Sequence, residues 1–182
     1  TSVPREEGTI MLALDVSGSM AADDVAPYRL RAAQDAARTF AEAVPRQFQL
    51  GLVAFNGQAD VLLPPSTDRA AFTRAVDSLV ADGATASGEA ILSSLDAIRS
   101  TQPGATTLRS ARVLLLSDGA NTVGTLPEEA AQEAKRAGVP VYTVALGTPE
   151  GVLPDGRAVP PDHAALAAVA EITGGEAFES RD

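Results

Sequence analysis

The chain has 182 residues, 45% of them hydrophobic, enough to bury about two-thirds of the unfolded surface, and is read as one domain over residues 1–182. Its 14 basic and 24 acidic residues leave a net charge of −10, which argues against nucleic acid or an anionic membrane as the main partner. Cysteine is absent, which excludes disulfides and thiolate metal sites, and a single histidine, His163, leaves any metal ion to oxygen ligands.

The opening TSVPREEG has no signal-peptide pattern, and no apolar run approaches the ~18 residues of a membrane span. TIMLALD (9–15) is short, apolar and bounded by polar residues, as a buried strand should be. It runs into DVSGSM, where Asp15, Ser17 and Ser19 alternate. Residues 28–44 follow with Leu30, Ala33, Ala37, Phe40, Ala41 and Val44 on one helical stripe, and Pro27 suits its first turn. Strands are expected at FQLGLVAF (48–55) and GQADVLLP (57–64). The short Asn56-Gly57 link between them predicts a hairpin, which makes the second an antiparallel edge strand. A helix over 68–80 has Asp68 or Thr67 as its cap, and another is expected over 89–100 after the loop ADGATASG.

ARVLLLSD (111–118) is the strongest strand pattern in the chain. A helix over 127–138 opens on Pro127, carries acids in its first turn and ends at Gly138, as capping and the helix dipole favour. A strand over 139–147 precedes an excursion, 148–161, with turns at Glu150-Gly151 and Asp155-Gly156. The last helix, 162–175, is capped by Asp162 and stopped by Gly174, and 176–180 could close the sheet. This alternation predicts an α/β class: a doubly wound, Rossmann-like, mostly parallel sheet with one antiparallel edge strand and helices on both faces. Ligands of such sheets bind outside the carboxyl ends of the strands, where the strand order reverses.

Three loops would emerge at that edge, carrying Asp15, Ser17 and Ser19, then Thr85, then Ser117, Asp118 and Gly119. Hydroxyls are neutral, hard donors, and with two carboxylates they suit Mg²⁺ or a similar cation. If the hydroxyls bound it directly and the aspartates acted through water, the cation would be under-neutralised and would attract an external carboxylate. Plainer roles exist for each residue. Asp15, Ser17 and Ser19 could form a strand-ending turn, Thr85 could cap the helix near 87–99 with Ser87 as a competing hydroxyl, and Asp118-Gly119 could be only a turn. Asp23 and Asp24 read as solvated acids near a helix start, and His163 as a surface residue in a first helical turn. Asn56 follows a strand near the same edge and is a candidate for lining the site.

The set Asp15, Ser17, Ser19, Thr85 and Asp118, in that order and setting, resembles the metal-ion-dependent adhesion site of von Willebrand factor type A domains. The resemblance implies that Ser17, Ser19 and Thr85 coordinate Mg²⁺ or Mn²⁺, Thr85 directly or through water. Asp15 and Asp118 then hold coordinating waters, and a partner protein's Glu or Asp completes the shell. Residues 24–40 and the tail PDHAALAAVAEITGGEAF look like the bacterial aerotolerance (Bat-type) branch of the family. That branch implies a domain outside the bilayer in a membrane-anchored protein. The expected role is a binding module and not an enzyme. The alternative is a Mg²⁺-dependent phosphoryl-transfer hydrolase of haloacid-dehalogenase-like type with Asp15 as nucleophile. Against it, Ser17 stands where that type carries a second Asp, and Lys135 lies far along the chain in a helix.

Overall fold

The computed structural model describes residues 8–119 and 123–179. The chain runs β1 (Thr9–Asp15), a 3-10 turn (Gly18–Ala21), α1 (Arg29–Ala43), β2 (Gln49–Phe55), β3 (Ala59–Ser66), α2 (Arg69–Asp77) and α3 (Ser87–Arg99). It continues with β4 (Ala111–Ser117), α4 (Pro127–Ala137), β5 (Val141–Ala145), α5 (His163–Thr173) and β6 (Ala177–Glu179). The sheet order is β3-β2-β1-β4-β5-β6, and only β3 is antiparallel to its neighbour. The doubly wound sheet with one antiparallel edge strand is therefore as the alternation predicts.

The period of the strands decides which helix each side chain meets. Met11 and Ala13 of β1 pack with Ile91 and Leu95 of α3, Ala130 and Ala134 of α4, and Leu166 and Val169 of α5. Leu12 and Leu14 face the other way, onto Leu30, Ala33 and Ala37 of α1 and Phe72 and Val76 of α2. Central strands covered on both faces favour apolar residues at successive positions, which is why IMLAL (10–14) and VLLL (113–116) read as continuous runs.

Most boundaries lie within two residues of the expected ones, with instructive differences. Asp68 caps α2 by accepting from the Ala71 amide at 3.0 Å, and Asp162 caps α5 through the Ala165 amide at 3.0 Å. Gly138 and Gly174 end α4 and α5 in the left-handed conformation that costs glycine little. Pro27 does not sit in the first turn of α1, because the cap position belongs to Tyr28 and helical geometry begins at Arg29. Helix α3 starts at Ser87 with Ala86 as its cap residue, so Thr85 is not that cap. Ser180, the last residue of the expected closing strand, falls outside the described residues.

From β1 the chain crosses to β2 on one side, while β4 lies on β1's other side, with Leu14 level with Leu116. The strand order reverses between β1 and β4, so a crevice opens where Asp15 and Asp118 leave the sheet.

Candidate metal centre

Asp15 is the last residue of β1 and is fully buried. Its two carboxylate oxygens are both engaged. Oδ1 accepts from the Ser17 amide at 2.8 Å, and Oδ2 accepts from the Ser117 hydroxyl at 2.7 Å. The first contact folds the chain back on itself directly after the strand, and the 3-10 turn Gly18–Ala21 then brings the Ser17 and Ser19 hydroxyls within 3.1 Å of each other. The Ser19 hydroxyl donates to Oδ2 of Asp118 across the crevice.

The loop that carries Thr85 is tied to the same floor by backbone bonds. The Asp82 amide donates to the Val16 carbonyl at 2.7 Å, Gly18 to Gly83 at 2.9 Å, and Ala86 to Asn56 at 2.6 Å. Asn56 thus anchors the loop through its main chain and does not line the pocket, since its side-chain oxygen accepts from Gln58. A cavity of about 290 Å³ results, lined by Ser19, Gly83, Ala84, Thr85, Asp118, Ala158, Val159 and Pro160. The excursion 148–161, to which the sequence assigns no role, supplies one wall of it.

Asp118 follows β4 and is held by its neighbours. Its carbonyl accepts from the Asp162 amide at 2.7 Å, and the next residue, Gly119, has φ +84°. A Cβ on Gly119 would fall 2.2 Å from the Asp162 carbonyl oxygen, so the Asp-Gly pair is required by both conformation and close packing.

The electrostatics of this floor are unusual. Burial, and then the charge of Asp118, push the Asp15 carboxyl up from 3.8 to about 7, although hydrogen bonds from Ser17 and Ser117 oppose the rise. Two buried carboxylates in one crevice suit a divalent cation. The donor set also fits a hard ion, because every side chain in it offers oxygen. Among the described residues no group of three or more His, Cys, Asp or Glu is placed to hold a metal, so any shell here would draw on Ser17, Ser19 and Thr85. The structure thus brings all five sequence candidates, Asp15, Ser17, Ser19, Thr85 and Asp118, to one edge.

Sequence reasoning missed Arg29 and misread Asp24. The Arg29 side chain is fully buried, with Nη1 3.3 Å from Oδ2 of Asp118. It also grips Asp24 with two bonds, Nε to Oδ1 at 2.7 Å and Nη2 to Oδ2 at 2.8 Å. Asp24 is therefore not a solvated acid. Its side chain is 9% exposed and also accepts from the Thr148 amide at 2.6 Å. Burial alone would raise Asp24, but the bonds from Arg29 and Thr148, with the guanidinium charge, hold it down at about 2. A faint signal existed: Arg29 stands four residues before Ala33, on the stripe that faces the sheet. His163 opens α5 half-exposed, with Nδ1 3.4 Å from Glu179, away from the pocket lining.

Comparison with known proteins agrees with this fold. Residues 10–121 match the family described as von Willebrand factor type A domain. A UPF0353 protein of Mycolicibacterium gilvum is 42% identical over 188 residues, covering 97% of this chain and 56% of its own length. A UPF0353 protein of Mycobacterium tuberculosis is 40% identical over 190 residues, covering 98% of this chain and 57% of its own length. The chain thus spans little more than half of these relatives. The structure resembles the conserved hypothetical protein BatB of Bacteroides thetaiotaomicron, with a TM-score of 0.82 at 24% identity over 96% of this chain and 91% of that one. It resembles equally an aerotolerance-related membrane protein of Bacteroides fragilis, with a TM-score of 0.82 at 23% identity over 95% and 91% of the two chains.

Proposed function

The chain belongs to the von Willebrand factor type A domain family, and from that premise we propose that it is a metal-dependent protein-interaction module. In this reading Ser17, Ser19 and Thr85 hold Mg²⁺ or Mn²⁺, Asp15 and Asp118 fix its waters, and a partner's Glu or Asp completes the shell. The observation that carries the reading is the convergence of those five side chains on one crevice at the strand-order reversal, beside a pocket of about 290 Å³. The metal would supply a positive centre that a carboxylate from outside can bind. The protein's own part is to present neutral hydroxyls, so that the ion's charge stays under-compensated, and to exclude bulk water with Ala84, Ala158, Val159 and Pro160.

Asp15 supports this role over that of a phosphoryl-transfer nucleophile. A nucleophile must reach its substrate, whereas Asp15 is wholly buried with both oxygens engaged. Lys135 lies in the last turn of α4, at the opposite edge of the sheet from the crevice. The reading extends to a domain held outside the bilayer of a membrane-anchored bacterial protein. In support, one structural neighbour is named a membrane protein, and no helix among the described residues is long and apolar enough to cross a membrane.

The test has two stages. Calorimetric titration with Mn²⁺ should give weak binding to the wild type and none to Asp15→Ala or Asp118→Ala; unchanged affinity in both variants would sink the proposal. Pull-down with the wild type in Mg²⁺ should then recover a partner that chelator releases and that is lost when its contacting Glu or Asp is changed to Ala. Mg²⁺-dependent hydrolysis of a phosphate ester, abolished by Asp15→Asn, would favour the enzyme instead.

A further inference from the structure

The crevice holds a cation of its own. The Arg29 guanidinium is buried against Asp118 at 3.3 Å, and its other contacts reach Asp24 and the far wall of the pocket. Two bonds reach Asp24, and Nη2 donates to the Val159 carbonyl at 2.8 Å. Asp24 is in turn bonded to the Thr148 amide at 2.6 Å and the Thr148 hydroxyl at 3.1 Å. Two glycines leave room for this arrangement. A Cβ at Gly147 would lie 2.5 Å from Arg29 Cζ, and one at Gly151 would lie 2.1 Å from Nη2. The guanidinium is therefore a built element of the fold.

We infer that Arg29 is the positioning residue of the metal centre: it competes with the metal ion for Asp118, sets a low metal affinity, and ties the 148–161 wall of the pocket to the same carboxylate. The inference rests on the metal-dependent reading above. Its physics is simple. Asp15, Asp118 and Asp24, when ionised, carry three negative charges, and Arg29 carries one positive, which leaves −2 for a divalent ion to neutralise. A metal ion at the hydroxyls must share Asp118 with a cation that cannot leave, because its bidentate partner Asp24 and the Val159 carbonyl hold it. Like charges that share one carboxylate in a low-dielectric site weaken each other's hold on it.

The arrangement predicts opposite signs for two changes at neighbouring atoms. Arg29→Gln removes the competing cation and should tighten Mn²⁺ binding by about tenfold. Asp24→Asn keeps the cation but removes its main partner, so the guanidinium bears more fully on Asp118 and Mn²⁺ binding should weaken by about tenfold. Arg29→Lys keeps the charge and should stay within about threefold of the wild type. A purely structural Arg29 would instead loosen the site whenever it or Asp24 is altered, weakening binding in all three variants. The experiment is Mn²⁺ titration by calorimetry on the 182-residue chain, with circular dichroism of each metal-free variant recorded first. The exposed acid Asp77, changed to Asn, sets the effect of one distant charge. Tighter binding by Arg29→Gln with weaker binding by Asp24→Asn supports the inference, and changes of the same sign overturn it. If Arg29→Gln does not fold, Asp24→Asn and Arg29→Lys decide: weakening by the first with near-wild-type affinity in the second supports the inference, and any other pair of results overturns it. Absence of Mn²⁺ binding by the wild type would refute the metal centre itself, an outcome separate from either.

Discussion

Replacing Asp15 by Asn should make the metal-free domain more stable at alkaline pH while abolishing its response to metal. Burial and the charge of Asp118 raise the Asp15 carboxyl from 3.8 to about 7. A raised carboxyl lets the folded state hold its proton where the unfolded state has already lost it. The stability this contributes is complete below about pH 4 and is lost as pH climbs through about 7. The ceiling on that loss is about 4 kcal/mol, at 1.36 kcal/mol per pH unit between the two values. Asparagine cannot ionise, so its fold escapes the loss but gives up charge-assisted bonds from the Ser17 amide and the Ser117 hydroxyl, which leaves a net gain of about 1–3 kcal/mol at pH 8. Asp24 does not confuse the result. Its carboxyl is depressed to about 2, so its contribution is present above about pH 4 and disappears only as pH falls through 2. The assay is urea unfolding of both proteins in chelator at pH 5 and pH 8, repeated with Mn²⁺. The wild type should lose stability between the two pH values in chelator and regain it with Mn²⁺, whereas the variant should do neither. A variant that tracks the wild-type pH dependence in chelator would refute the reasoning.

Thr85→Ala should weaken Mn²⁺ binding about tenfold in calorimetry and cost the metal-free fold no more than about 1 kcal/mol in urea unfolding, because the residue is not the α3 cap. Gly119→Ala should cost at least about 2 kcal/mol, since φ is +84° and the new Cβ would meet the Asp162 carbonyl at 2.2 Å. Gly104→Ala shares a positive φ, +79°, with no atom within 4 Å of the Cβ, and should cost only about 1 kcal/mol in the same measurement.

The fold was legible because its signals are local. A strand covered on both faces reads as an apolar run, as VLLL (113–116) does within β4, and an amphipathic helix must repeat every three to four residues, as α1 does through Leu30, Ala33 and Ala37. Caps at Asp68 and Asp162 and stops at Gly138 and Gly174 are likewise decided within a few residues. What misled was start geometry. Pro27 is compatible with a first turn, but it lies one residue ahead of the Tyr28 cap, because Arg29 is held back towards the β1 loop by its amide bond to the Ala22 carbonyl at 2.8 Å.

The site was legible only in the part where residue type announces chemistry. Asp15, Ser17, Ser19, Thr85 and Asp118 are polar residues placed directly after strands or in a loop at one edge, and topology alone gathers them. Arg29 and Asp24 give no such signal, since an acid and an arginine five residues apart near a helix start are ordinary surface residues in most chains. What buries them is distant: Gly147, Thr148, Gly151 and Val159, more than 100 residues away, close over the guanidinium. An isolated buried charge is costly, so Arg29 can remain there only because Asp24 and Asp118 both meet it. The fold thus had to place a cation against one of the carboxylates expected to serve a metal. That makes the 148–161 excursion part of the centre's electrostatics: a change that detaches it from Arg29, at Thr148 or Gly151, should reach the metal without touching any of the five candidate residues.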